Sequence, residues 1–135
     1  MTQEGPNRPE PQPLKLDGKT SAIGVLDLSV RCEDPQEVCS KLMQPLGSFL
    51  ERARQAAVPI LYTISAMGKG TALGEVAGPL QRRPSEPILY PDAFDKFMDG
   101  ELKAELDKCR CRSLVIVGSA TNFAVLYTAT TAARI

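Results

Sequence analysis

The chain has 135 residues, 43% of them hydrophobic, which is enough for one domain with a core of its own and too few for two. Sixteen basic and sixteen acidic residues cancel, and no basic cluster exceeds Arg82-Arg83, so the electrostatic footprint that nucleic acid requires is missing. Histidine is absent, which removes the usual general base at neutral pH, any Ser-His or Cys-His pair, and the commonest metal ligand.

Pro6, Pro9, Pro11 and Pro13 among polar neighbours predict a disordered or extended arm over residues 1–18, leaving 19–135 as the domain. The arm has no apolar stretch of the signal-peptide kind, and no later run is long enough to cross a bilayer. A soluble, cytoplasmic protein with no membrane partner is therefore expected. Ser21 to Leu28, SAIGVLDL, suits a strand buried on both faces of a parallel sheet, with Asp27 interrupting it near its end. Asp34-Pro35 offers an N-cap and a first-turn proline for a helix whose apolar face is Leu42, Leu46, Phe49, Leu50, Ala53 and Ala57, kinked or restarted at Pro45.

Val58 to Ile64 predicts a second strand and Met67 to Gly78 a long loop. Ile88 to Tyr90 fits a brief third strand, and Asp92 to Lys108 a helical turn followed by a helix after the Asp99-Gly100 break. Ser113 to Val117 is the clearest strand, and Thr121 to Arg134 reads as a closing helix. The cysteines Cys32, Cys39, Cys109 and Cys111 lack the spacing of a zinc knuckle and are expected to be reduced thiols, with no metal and no cofactor. This alternation predicts an α/β domain with a parallel sheet, whose ligands collect beyond the carboxyl ends of the strands.

Three separated segments, GVLDLS, PDAF ahead of a helix, and SLVIVGSATNFAVLYTATTAA, occur in an order that resembles the isochorismatase-like cysteine hydrolases, which include nicotinamidases. The resemblance spans Ser21 to Ile135 and implies a three-layer α/β/α fold with a catalytic triad of Asp, Lys and Cys. By the resemblance Asp27 matches the family aspartate; a carboxylate at the end of a buried strand is costly unless paired, and the alternative role is a cap on the loop around Ser29 or Arg31. Counting back six residues from Phe94 puts the family lysine at Ile88, with no lysine between Lys69 and Lys96. The family pattern around the cysteine maps onto Gly118, Thr121, Ala124, Val125, Thr128 and Ala129, so Ala124 stands where the nucleophile belongs. The histidine-containing metal site of family nicotinamidases has no counterpart in TISAMGKGTALG.

What the resemblance leaves is the anion-binding half of the machinery. Backbone N–H groups of Phe123, Ala124 and Val125, with Ser119, Ala120 and Thr121, are the expected contacts for a small-molecule ligand. Cys32, Ser29, Ser119 and Thr121 are the candidate substitute nucleophiles, and Lys69 a candidate substitute cation. The leading expectation is a catalytically degenerate hydrolase-family protein with a binding pocket. The alternatives are a metal-independent hydrolase of a small amide, ester or vinyl ether in which Asp27 activates water, and a structural role. The family continues beyond this helix, so the sheet is expected to lack its last strand or strands: either the chain is a fragment of a longer protein, or Ser113 to Val117 is an edge that a homo-oligomer covers.

Overall fold

The computed structural model describes residues 5–135. Residues 5–17 carry no regular structure and lie exposed; the first residues of the arm fall outside the described range. Strands β1 (Ser21–Leu26), β2 (Ile60–Thr63), β3 (Ile88–Leu89) and β4 (Ser113–Gly118) form one parallel sheet in the order β3-β2-β1-β4. Three α-helices accompany it, α1 (Met43–Gln55), α2 (Glu101–Lys108) and α3 (Leu126–Ala132), the last preceded by a π-helical turn over Thr121–Val125.

Side-chain alternation along the strands divides the core into two layers. Ile23, Val25, Ile60 and Tyr62 pack with Leu46, Leu50 and Ala53 of α1, and Ile88, Val115 and Val117 join them. Ala22 and Leu61 pack on the opposite face with Phe97 and with Leu102 and Leu106 of α2, where Leu89, Leu114 and Ala132 of α3 complete the layer. Both faces of the central strands are thus covered, which is why β1 and β2 read as nearly continuous apolar runs and why the architecture is three-layered. All six β1 residues are buried, whereas all six of β4 are only half-buried.

The first helix departs from its expected start. Asp34 Oδ1 accepts from the Gln36 amide at 2.9 Å, as a cap would, but the chain then makes 3-10 turns over Val30–Glu33 and Val38–Leu42 before α1 begins at Met43. Pro45 falls in the first turn of α1, where its missing N–H breaks no helical bond. At the other end Ala57 leaves the apolar stripe. It is exposed with φ 58°, and the bonds from Val58 N to Ala53 O and from Ala57 N to Arg54 O close a Schellman motif.

The cysteines are also corrected. Cys32 pairs with Cys39 across the 3-10 turns, with Cα atoms 5.2 Å apart, and Cys109 pairs with Cys111, Cα atoms 5.3 Å apart. Neither separation in sequence resembles a metal knuckle, but the local turns bring both pairs within disulfide reach. A buried polar cluster ties α1 to the segment before β3: Arg54 Nε lies 2.8 Å from Glu86 Oε2, and Tyr62 donates to Glu86 Oε1 at 3.0 Å. Burial pushes the Glu86 carboxyl up, but the bonds from Arg54, the Arg83 amide and Tyr62 outweigh it and hold the group below its ordinary value.

Candidate functional site

Asp27 follows directly on β1, at the carboxyl edge of the sheet. Its N–H donates to Thr63 O at 2.8 Å, continuing the pairing with β2, while its φ of 60° turns the chain out of the sheet. Few residues other than glycine adopt that conformation, and Asp and Asn are the ones that do so most readily. Beside it the register aligns Leu26 with Gly118, the last residue of β4. A Cβ on Gly118 would lie 3.0 Å from Val125 Cγ2 and 3.2 Å from Leu26 O, so the missing side chain lets the π-helical turn close down onto the ends of β1 and β4.

Lys96 supplies the charge opposite Asp27. Its Nζ stands 3.0 Å from Asp27 Oδ2; the lysine side chain is 3% exposed and the aspartate 26%. A cation buried to that degree needs a partner, and Asp27 is the one the fold provides. The backbone of Lys96 is fixed from α3: its N–H donates to Thr128 Oγ1 at 3.1 Å, and the same hydroxyl donates to Phe94 O at 3.3 Å. Thr131 Oγ1 adds a bond to Asp95 Oδ2 at 2.6 Å. The helix that begins around Ala124 is therefore the support that holds Lys96 against Asp27. Asp27 Oδ1 and Thr63 Oγ1 are buried without a hydrogen-bond partner.

The cation that faces Asp27 is therefore Lys96, and Ile88 lies elsewhere. Ile88 lies in β3 opposite Tyr62 and packs on the α1 side of the sheet, whereas Lys96 sits with Phe97 and Thr128 on the other side. Counting along the chain from Phe94 in one direction missed a lysine two residues beyond it in the other. The available signal was a lysine, Lys96, set between two apolar aromatic residues, Phe94 and Phe97. Lys69, the other candidate, is exposed, with Nζ 5.5 Å from the centre of the Tyr90 ring.

Ala124 is buried, 1% exposed, in the turn that follows β4. The anion cradle expected there is largely occupied, because the N–H groups of Phe123 and Val125 both donate to Ala120 O, at 3.1 and 3.2 Å. Ser119, Ala120 and Val125 are half-buried, Thr121 is exposed, and the Phe123 ring is exposed and tilted by 34° against Phe94, with centroids 5.2 Å apart. None of the six lines the cleft at Asp27.

That cleft, of ≈ 410 Å³, opens between the ends of β1 and β2 and is lined by Asp27, Ser29, Arg31, Ile64, Met67 and Leu73, with Ser65 and Gly68. Its far wall is the loop after β2, folded so tightly that the Gly68 carbonyl leaves no room for a Cβ on Gly74. Arg31 brings a guanidinium to the rim, where Nη1 donates to Glu37 at 3.0 Å. Of the substitute nucleophiles, Cys32 is committed to its disulfide, and Ser29 is the one that shares the cleft with Asp27.

The model of the isochorismatase domain family matches residues 25–135. The chain belongs to the isochorismatase family. No curated protein matches it. Among solved structures, a cysteine hydrolase from Pseudomonas syringae superposes with a TM-score of 0.78 at 16% identity, covering 90% of this chain and 70% of that one. An isochorismatase family protein from Burkholderia thailandensis gives 0.74 at 18% identity, covering 89% and 74%. N-carbamoylsarcosine amidase from Thermoplasma acidophilum gives 0.70 at 19% identity, covering 84% and 75%. These likenesses establish the fold of the isochorismatase family, with four strands among the described residues. No described helix is long and apolar enough to cross a membrane.

Proposed function

We propose that this isochorismatase-family chain is catalytically degenerate and binds a small molecule in the cleft beside Asp27. The observation that carries the reading is the buried Asp27–Lys96 ion pair at 3.0 Å, in a chain with Ala124 at the turn after β4 where the family resemblance puts a cysteine. A carboxylate and an ammonium can hold and exchange a proton, but covalent catalysis needs a nucleophile, and a methyl group has no lone pair with which to attack. The ligand's charge preference comes from Arg31 at the rim rather than from the amides after Ala120, and its body meets Ile64, Met67 and Leu73. A compact molecule with an apolar middle and an anionic end matches that lining.

A second reading is favoured by one feature of the same site. The Asp27–Lys96 pair is intact and Ser29 lies in the cleft, so hydrolysis by water activated at Asp27, or by Ser29, keeps part of its machinery. The two readings separate in one experiment. A panel of small amides, esters and vinyl ethers is incubated with wild type, Asp27→Asn and Ser29→Ala, while binding of small carboxylates is followed by calorimetry. Degeneracy predicts no turnover by any of them and saturable carboxylate binding that weakens in Arg31→Ala. Turnover lost in Asp27→Asn would establish the hydrolase instead, and absence of both turnover and binding would leave the structural role.

A further inference from the structure

The two disulfides differ in ways that separate a structural bond from a reactive one. Cys32 and Cys39 are both buried in the core beside α1, with a sequence separation of 7. Cys109 and Cys111 follow α2, are half-buried, and have a separation of 2. A cross-link restricts the unfolded chain less as the loop it closes shortens, so the second bond adds less to stability than the first. Thiol–disulfide exchange in turn requires a thiolate to reach a sulfur, and burial denies it that approach at Cys32–Cys39.

At Cys109 the approach is open. A groove of ≈ 390 Å³ at the amino end of β2, the opposite edge of the sheet from the Asp27 cleft, has Cys109 in its wall but not Cys111. Arg54, Arg83 and Lys108 line the same groove, against the carboxylates of Glu86 and Glu105. Arg54 is committed to Glu86 at 2.8 Å. Lys108 Nζ meets Glu105 Oε1 at 2.9 Å and Arg83 Nη2 meets Glu51 Oε1 at 3.7 Å, but both cations are exposed, and contacts of that kind are readily exchanged for another anion. Arg110, between the two cysteines, and Arg112 after them are exposed as well, so the approach to the sulfur is positive.

We propose that Cys109–Cys111 is a redox-active disulfide whose substrate is a low-molecular-weight thiol bearing carboxylates, docked in this groove. The substrate thiolate attacks Cys109 Sγ, the sulfur on the groove side. A bond forms between the two sulfurs as the Cys109–Cys111 bond breaks, and Cys111 Sγ departs with the electron pair and takes a proton from solvent. A second thiolate attacks the substrate sulfur of that mixed disulfide, forms the small-molecule disulfide, and releases Cys109 as a thiolate that is protonated in turn. Two thiols are thereby oxidised to one disulfide while the protein disulfide is reduced to a dithiol. The reduced form has acceptors in place for both new S–H groups, since Cys109 Sγ lies 3.2 Å from Leu106 O and Cys111 Sγ 3.7 Å from Cys109 O.

The test uses the full chain in its oxidised form. Incubation with glutathione, then acid quench, alkylation and peptide mapping by mass spectrometry, is expected to open Cys109–Cys111 about tenfold faster than Cys32–Cys39, because access limits the exchange. The order of attack is read from single variants: with oxidised glutathione, Cys111→Ser should acquire the mixed disulfide on Cys109 faster than Cys109→Ser acquires it on Cys111. Recognition of the carboxylates is read from Arg83→Ala combined with Lys108→Ala, which should slow glutathione about threefold more than it slows neutral 2-mercaptoethanol, a difference that shrinks in high salt. Equal opening of the two disulfides, equal labelling of Cys109 and Cys111, or equal slowing of the charged and neutral thiols would each overturn the inference.

Discussion

Lys96 is held from two directions at once: Asp27 Oδ2 takes its ammonium at 3.0 Å, and Thr128 Oγ1 takes its backbone N–H at 3.1 Å. The first partner comes from the end of β1 and the second from α3, one turn beyond Ala124. The ion pair therefore depends on the helix that follows the turn bearing Ala124.

Breaking that pair from one side should be costly. Asp27→Asn keeps a residue tolerant of φ 60°, so the cost isolates the stranded lysine; about 3 kcal/mol is expected, the lower end for a buried pair, because Asp27 retains 26% exposure. Lys96→Met in the same background should recover a good part of it. Urea unfolding of both singles and the double gives the coupling, and strictly additive losses would show that the two groups do not interact.

A thiol placed at position 124 probes the turn directly. All four native cysteines are paired, so Ala124→Cys introduces the one free thiol of the described chain. A neighbouring cation favours the reactive thiolate, so alkylation by iodoacetamide should be faster than for an unfolded control and should slow when Lys96→Met is added. A thiol that labels only after denaturation would show that the turn has closed over the site.

Acid should weaken the fold partly through Glu86. Its carboxyl is held below the ordinary 4.5, so the folded state binds that proton less readily than the unfolded chain. The corresponding stabilisation is complete above the unfolded value and is lost as pH falls through the folded one. Glu86→Gln should flatten the stability profile below about pH 4.5, measured by thermal unfolding in a pH series, and an unchanged acid limb would remove Glu86 from the account.

Two helix ends use side-chain-bearing residues where glycine fits better. Ala57 after α1 has φ 58° and Arg110 after α2 has φ 55°, each in a Schellman-type closure. Ala57→Gly should raise stability by about 1 kcal/mol, the left-handed penalty it relieves. The exposed Ala57 makes this a clean test by denaturant midpoint, and a loss of stability would mean that the unfolded-chain entropy of glycine dominates.

The strands were legible in the residues because each is a short apolar run between turn signals, and the succession of strand and helix dictated a parallel sheet. Asp27 stood out for the same local reason, a carboxylate closing an otherwise apolar strand. The cysteine pairing was hidden, since it depends on turns between Val30 and Leu42 that bring Cys32 to Cys39, where a helix had been expected. Lys96 was hidden for a related reason. Its partner lies on another strand and its anchor on a later helix, so its role follows from the crossing of three elements and from no spacing along the chain. Periodicity and turn chemistry act between neighbours in sequence and can be read there; burial of a charge is decided by what the folded chain sets against it, and that was settled only by the packing of α3 over the end of β1.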